Sequence, residues 1–84
     1  MQDSREKIEA EVRELLTERF AVPADRITPE AHVFDDLGLD SVDLMSAVAI
    51  LEELYDTSVS DAELQDMLVI GGVVDRFSAT ADAA

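Results

Sequence analysis

Ser41 is the residue of this chain best placed for covalent chemistry. It lies in the run Asp36-Leu37-Gly38-Leu39-Asp40-Ser41-Val42-Asp43-Leu44-Met45. Gly38 suits a tight turn. Asp40 or Ser41 suits the N-cap of the apolar-periodic segment that follows. A serine there stands at a loop–helix junction, exposed, at the positive end of a helix dipole. That setting stabilises a phosphate ester on its hydroxyl. Asp40 and Asp43 supply negative charge close by.

Other chemistries fit these residues poorly. A serine nucleophile needs a base within hydrogen-bond reach and an oxyanion site. His32 is the single imidazole, nine residues away in a loop, and reads as a solvated side chain rather than a base or metal ligand. Leu39 and Asp43 stand two residues either side of Ser41, so there is no Gly-x-Ser-x-Gly elbow. No catalytic residue is assigned. Counted from Asp36, a calcium loop would need an acid at Gly38 and a glycine at Ser41, so that pattern fails too. No metal site is assigned. The chain has no cysteine, so any thiol must come from an attached group. On local sequence alone, a plain helix cap is the simplest reading of Ser41.

Helices must position this serine. Asp3 or Ser4 caps a first helix, with Glu6 three residues after Asp3. Ile8, Val12, Leu15, Leu16 and Phe20 fall at the spacing of one helical face. Glu9 and Arg13 form an i,i+4 pair on the polar side. Pro23 ends this helix soon after Ala21. Residues 23–40 form a long connection, with Thr28-Pro29-Glu30-Ala31 as a capped turn. Val33, Leu37 and Leu39 are expected to plug one end of the core.

A second helix is predicted from Ser41 to Tyr55. Leu44, Val48, Leu51 and Tyr55 form its core face, widened by Ala47 and Leu54. Val42, Met45 and Ala49 lie on another face beside Asp43, Ser46, Glu52 and Glu53. An apolar strip edged by carboxylates reads as a docking surface. Ser60 and Glu63 make a capping box for a short third helix, Asp61 to Leu68. Leu64, Met67 and Leu68 face inward, with Val59 as a staple. The last apolar run, Val69-Ile70-Gly71-Gly72-Val73-Val74-Asp75-Arg76-Phe77, advertises a helix badly. It lacks a polar cap, and glycine costs ~1 kcal/mol against alanine in a helix interior. The sequence leaves open a loose last helix or a Gly-Gly hinge there. Residues 79–84 are expected to be a disordered tail behind a domain spanning 1–78.

Size and charge narrow the function. A chain of 84 residues buries only ~60% of the surface its unfolded form exposes, so its core is small and a deep catalytic cleft is not expected. No apolar run approaches the ~20 residues that span a bilayer. No apolar signal segment follows Met1, so a soluble cytoplasmic protein is expected. Net charge is −14. Between Ile27 and Asp75 there is no Lys or Arg. Such a surface repels nucleic acid and anionic membranes. It attracts basic protein patches, although acidity also serves solubility alone.

Leu37-Gly38-Leu39-Asp40-Ser41-Val42 resembles the LGxDSL signature of acyl carrier proteins. The resemblance extends from about Ile8 to Phe77, and includes Thr28-Pro29-Glu30-Ala31 and Glu52-Glu53-Leu54-Tyr55. It implies an all-α fold: a small four-helix bundle with three main helices, a short third helix and a long first loop. It implies 4′-phosphopantetheine linked covalently to Ser41, whose thiol holds acyl groups as thioesters. It implies a carrier without a catalytic site of its own, and a monomer. Its partners would be a phosphopantetheinyl transferase and basic-surfaced acyltransferases, ketosynthases or similar enzymes. Asp40, Asp43, Glu52 and Glu53 take the place of acidic docking contacts, with Val42, Met45 and Ala49 between them. Ser46 departs from the glutamate that many members carry, which favours polyketide or other secondary metabolism over fatty-acid synthesis. A carrier of amino-acyl or peptidyl groups is a further alternative, though these usually show Gly-Gly-x-Ser. So is an acidic interaction module whose serine is never modified. An acyl cargo is expected between the second and third helices, near Val48, Leu51, Val59, Leu64 and Met67.

Overall fold

The computed structural model describes the backbone of residues 3–83 and the side chains of residues 5–80. Four α-helices follow in order: α1 (Asp3–Arg19), α2 (Ser41–Tyr55), α3 (Asp61–Leu64) and α4 (Ile70–Ala83). Single 3-10 turns occupy Ala24–Arg26 and Gln65–Met67. No strand occurs among the described residues; His32 and Val69 form one isolated antiparallel bridge.

The apolar periodicities become the core. Ile8, Val12 and Leu16 of α1 meet Leu44, Val48 and Leu51 of α2 and Val73, Val74 and Phe77 of α4. The long connection adds Val22, Ile27, Ala31, Val33 and Leu39 to the same cluster. The expected plug is therefore formed by Val33 and Leu39, with Leu37 half-buried against it. Charge pairs differ from the expected i,i+4 pattern. Arg5 of α1 pairs with Asp75 of α4, tying two helices together, and no Glu9–Arg13 pair forms among the described residues. The expected cap from Asp3 or Ser4 lies outside the described side chains. At the other end Ala21 takes a left-handed conformation, φ 57°. Val22 N–H then closes back on Leu16 C=O, six residues earlier, at 3.0 Å.

The long loop satisfies its own backbone. His32 C=O accepts from Asp36 and Leu37, and the Asp36 carboxylate accepts from His32 N–H at 2.7 Å. His32 Nδ1 accepts from the N–H groups of Phe34 and Asp35 at 3.2 and 3.3 Å. His32 is thus a cap for the turn rather than a solvated side chain. Gly38 closes the turn at φ 74°. A Cβ there would meet nothing, so conformation alone selects glycine.

The last helix corrects two expectations. First, Gly71 and Gly72 form neither a hinge nor a gap; they open α4 by close contact. Ile70 N–H bonds Ala31 C=O at 3.0 Å and Gly71 N–H bonds Pro29 C=O at 2.8 Å. Gly72 and Val73 N–H both reach Val69 C=O. The loop's carbonyls thereby replace the side-chain cap that Val69 cannot provide. A Cβ on Gly71 would stand 3.0 Å from Pro29 O, and one on Gly72 2.0 Å from Asp66 O. Second, the segment read as a tail from residue 79 continues α4 to Ala83. Ala79, Ala81 and Ala83 explain this, since alanine has the highest helix propensity.

The third helix is also shorter than expected. It ends at Leu64 and tightens into the 3-10 turn. Its capping box forms as read: Glu63 N–H bonds Ser60 Oγ at 3.2 Å and Ser60 N–H bonds Glu63 Oε1 at 2.9 Å. Arg76 of α4 then holds the region from the other side. It donates to Glu63 Oε2, Thr80 Oγ1, Thr57 Oγ1 and Ser58 C=O. The Ser60 N–H, followed by Arg76, holds the Glu63 carboxyl below its usual value of 4.5, against an opposing effect of burial.

Two measurements test this architecture. By helix propensity Gly72→Ala should stabilise by about 1 kcal/mol; by the Asp66 contact it should destabilise by about 2–3 kcal/mol. Urea unfolding followed by circular dichroism is expected to show the loss, with a smaller one for Gly71→Ala. For Glu63, a lowered folded-state value means its contribution is complete above the unfolded value near 4.5 and disappears as pH falls through the folded value. The stability gap between wild type and Glu63→Gln is therefore expected near neutral pH and should close on acidification below 4.5.

Candidate functional site

Ser41 is the first residue of α2 and is exposed. Asp40 is the N-cap, and its box is complete. Asp43 N–H bonds Asp40 Oδ1 at 2.8 Å, and Asp40 N–H bonds Asp43 Oδ2 at 3.3 Å. The first intrahelical bond runs from Leu44 N–H to Asp40 C=O at 2.9 Å. The N–H groups of Ser41 and Val42 precede it and so have no partner within the helix. The hydroxyl thus projects from a rigid tip where the dipole favours an anion. That setting suits a phosphodiester on an exposed hydroxyl.

The acidic residues singled out beside it have different environments. Asp40 and Asp43 are committed to capping, with Asp40 exposed and Asp43 half-buried. Glu53 is exposed. Glu52 is half-buried, and its Oε2 accepts from Val59 N–H at 2.6 Å. It bolts the α2–α3 loop onto α2. Sequence reasoning missed this role, since nothing in the spacing of Glu52 and Val59 announces it. Arg76 was missed likewise, although its being the only cation after Arg26 was a usable signal.

The apolar strip is present. Val42 is 71% exposed and Met45 58%, and Ser46 and Ala49 are exposed with them. Leu54 departs from expectation: read as widening the core face, it is 54% exposed. The core contacts of α2 are taken by Leu44, Ala47, Val48 and Leu51, and Leu54 lies on the flank turned towards α1, where it lines a groove.

Of the residues expected near a cargo, Val48 and Leu51 border an apolar void. Among the described residues, the enclosed apolar void holds about 20 Å³ and is bounded by α1, α2, α4 and the loop. Val48 and Leu51 line it, with Val12, Leu16, Val33, Leu44 and Val73 among its other walls. Val59, Leu64 and Met67 do not. Met67 is fully buried, while Glu52 and Arg76 each hold the α2–α3 loop by a hydrogen bond. The void has room for a water-sized group, and its apolar lining keeps it dry.

The comparisons with known proteins agree with this geometry. The family described as "Phosphopantetheine attachment site" matches residues 10–77. The chain belongs to the acyl carrier protein family. It is 37% identical over 71 residues to an acyl carrier protein of Thermotoga maritima, covering 84% of this chain and 88% of that one. The solved acyl carrier protein of Enterococcus faecalis, from work on its high thermal stability, superposes with a TM-score of 0.77 at 29% identity. That match covers 90% of this chain and 96% of the other. The prosthetic group of such a carrier is covalently attached 4′-phosphopantetheine, and its members are visited by a phosphopantetheinyl transferase and acyl-processing enzymes. Among the described residues of this carrier no acidic or histidine cluster could hold a metal, and no helix is long and apolar enough to cross a membrane.

The box at the tip of α2 separates charge from capping. Asp40→Ala is expected to lower stability by about 1 kcal/mol, whereas Asp40→Asn, an equally good cap, should not. Urea midpoints of the two variants check this.

Proposed function

We propose that Ser41 is the attachment point of the prosthetic arm and that the chain delivers acyl groups without catalysing their conversion. The observation that supports this most is the exposed hydroxyl at the capped first turn of α2, beside exposed Val42 and Met45. Attachment is carried out by the transferase. The Ser41 oxygen bonds to the phosphorus that bears pantetheine in coenzyme A. The bond from that phosphorus to adenosine 3′,5′-bisphosphate breaks, and the hydroxyl proton passes to the transferase. The arm then supplies a thiol for thioester exchange. Ser41 and the α2 dipole hold its phosphodiester, and tethering raises the cargo's effective concentration at a docked enzyme.

Partner enzymes are read through Val42, Met45, Ala49 and Glu53, with Asp40, Asp43 and Glu52 adding negative field. Acidic surfaces meeting basic patches associate fast and let go readily, which suits serial visits. The exposed Ser46, where many family members carry glutamate, lowers the negative charge in the middle of this strip. It supports a place in polyketide or other secondary metabolism rather than fatty-acid synthesis. With no membrane-spanning helix among the described residues, the cytoplasm is the proposed location.

Intact-protein mass spectrometry tests the assignment. Incubation with coenzyme A, Mg²⁺ and a promiscuous transferase is expected to add one phosphopantetheine mass to wild type and none to Ser41→Ala. Equal gain in both would place the arm elsewhere.

A further inference from the structure

A second face of α2 is open, at the end away from Ser41. Leu54 lies thirteen residues further along the helix, about 20 Å at the usual helical rise. Beside it a groove of about 160 Å³ runs between α1 and α2. Leu15, Ile50 and Leu54 give it an apolar lining, and Glu11, Glu14 and Glu18 stand along its α1 wall. The three glutamates are spaced on one helical face, and among the described residues none is in an ion pair. Arg19 is the one cation lining the groove.

An exposed leucine of this size at a groove mouth has affinity for apolar side chains. Three unpaired carboxylates along one wall select what carries those side chains. They repel acidic segments and attract Lys or Arg flanking an apolar pair. A helix with apolar residues at i and i+4 and basic residues on either side meets both demands. A second copy of this strongly acidic chain does not.

We propose that the α1–α2 groove docks a basic amphipathic helix of a partner protein, and that it does so while Ser41 remains accessible. The distance along α2 keeps the two ends apart. One partner would then retain the carrier while others act at the arm. Binding at the groove is independent of the Ser41 assignment; only the claim of simultaneous access rests on it.

The probe is a synthetic helical peptide with leucines at i and i+4 flanked by lysines, titrated into the ¹⁵N-labelled protein at low salt. Saturable amide shifts are expected around Glu11–Glu18 and Ile50–Leu54, and not at Val42 or Met45. Leu54→Ala should weaken binding about tenfold. Glu14→Gln should weaken it less and reduce its salt dependence. Both changes are at surface positions, and circular dichroism verifies the fold. A peptide with glutamates for lysines should not bind. Transfer of phosphopantetheine to Ser41 should proceed at an unchanged rate with the lysine peptide saturating. The proposal is overturned by shifts centred on Val42 and Met45, by no saturable shift, or by equal affinity in Leu54→Ala. Concentration-dependent shifts without peptide, marking self-association through the groove, would also overturn it. Failure of Ser41 to load in the absence of peptide would instead strike the attachment assignment and leave the groove result intact.

Discussion

Backbone hydrogen bonding between the first loop and the start of α4 closes this bundle. Pro29 and Ala31 lend carbonyls to the first turn of α4, and Val33 N–H bonds Leu68 C=O at 2.8 Å. A buried helix start without partners would leave several N–H groups unpaired, at a cost of ~1–3 kcal/mol each. The loop removes that cost and is itself ordered by doing so. Its length ceases to be an entropic weakness, because nearly every turn within it is hydrogen-bonded. Gly72 is the steric condition: only a residue without Cβ lets α4 begin so close to the Asp66 carbonyl.

The same loop leads into the first turn of α2. Val33 and Leu39 are anchored in the core, and the turn capped by His32 lies between them. Gly38 turns the chain, and Asp40 arrives in extended geometry to cap α2. Ser41 is therefore positioned from two directions, by the helix it starts and by a loop fastened to α4. Stability of the last helix and placement of Ser41 are linked through these few carbonyls.

Much of this was legible beforehand. The face of Ile8, Val12 and Leu16, the Ser60–Glu63 box and the Asp40–Ser41 junction are local patterns, and local patterns survive into structure. What was not legible depends on contacts between distant segments. Gly71-Gly72 reads as helix-breaking because propensity knows nothing of Pro29 and Asp66. Leu54 reads as core because a period of 3.6 marks a face without saying how wide the neighbouring helix will cover it. The hydrogen bonds of Glu52 and Arg76 to the α2–α3 loop likewise join residues that no periodicity connects. His32 reads as a solvated side chain because an accepting ring nitrogen leaves no trace in sequence.

Glu52 has a consequence for redesign. It looks like one more surface carboxylate, yet it fastens Val59. Transplanting another carrier's α2 surface onto this scaffold is thus not a free exchange of every acidic position. Val42, Met45, Ser46, Ala49 and Glu53 are exposed; Glu52 is a bolt in the frame and stays with the host.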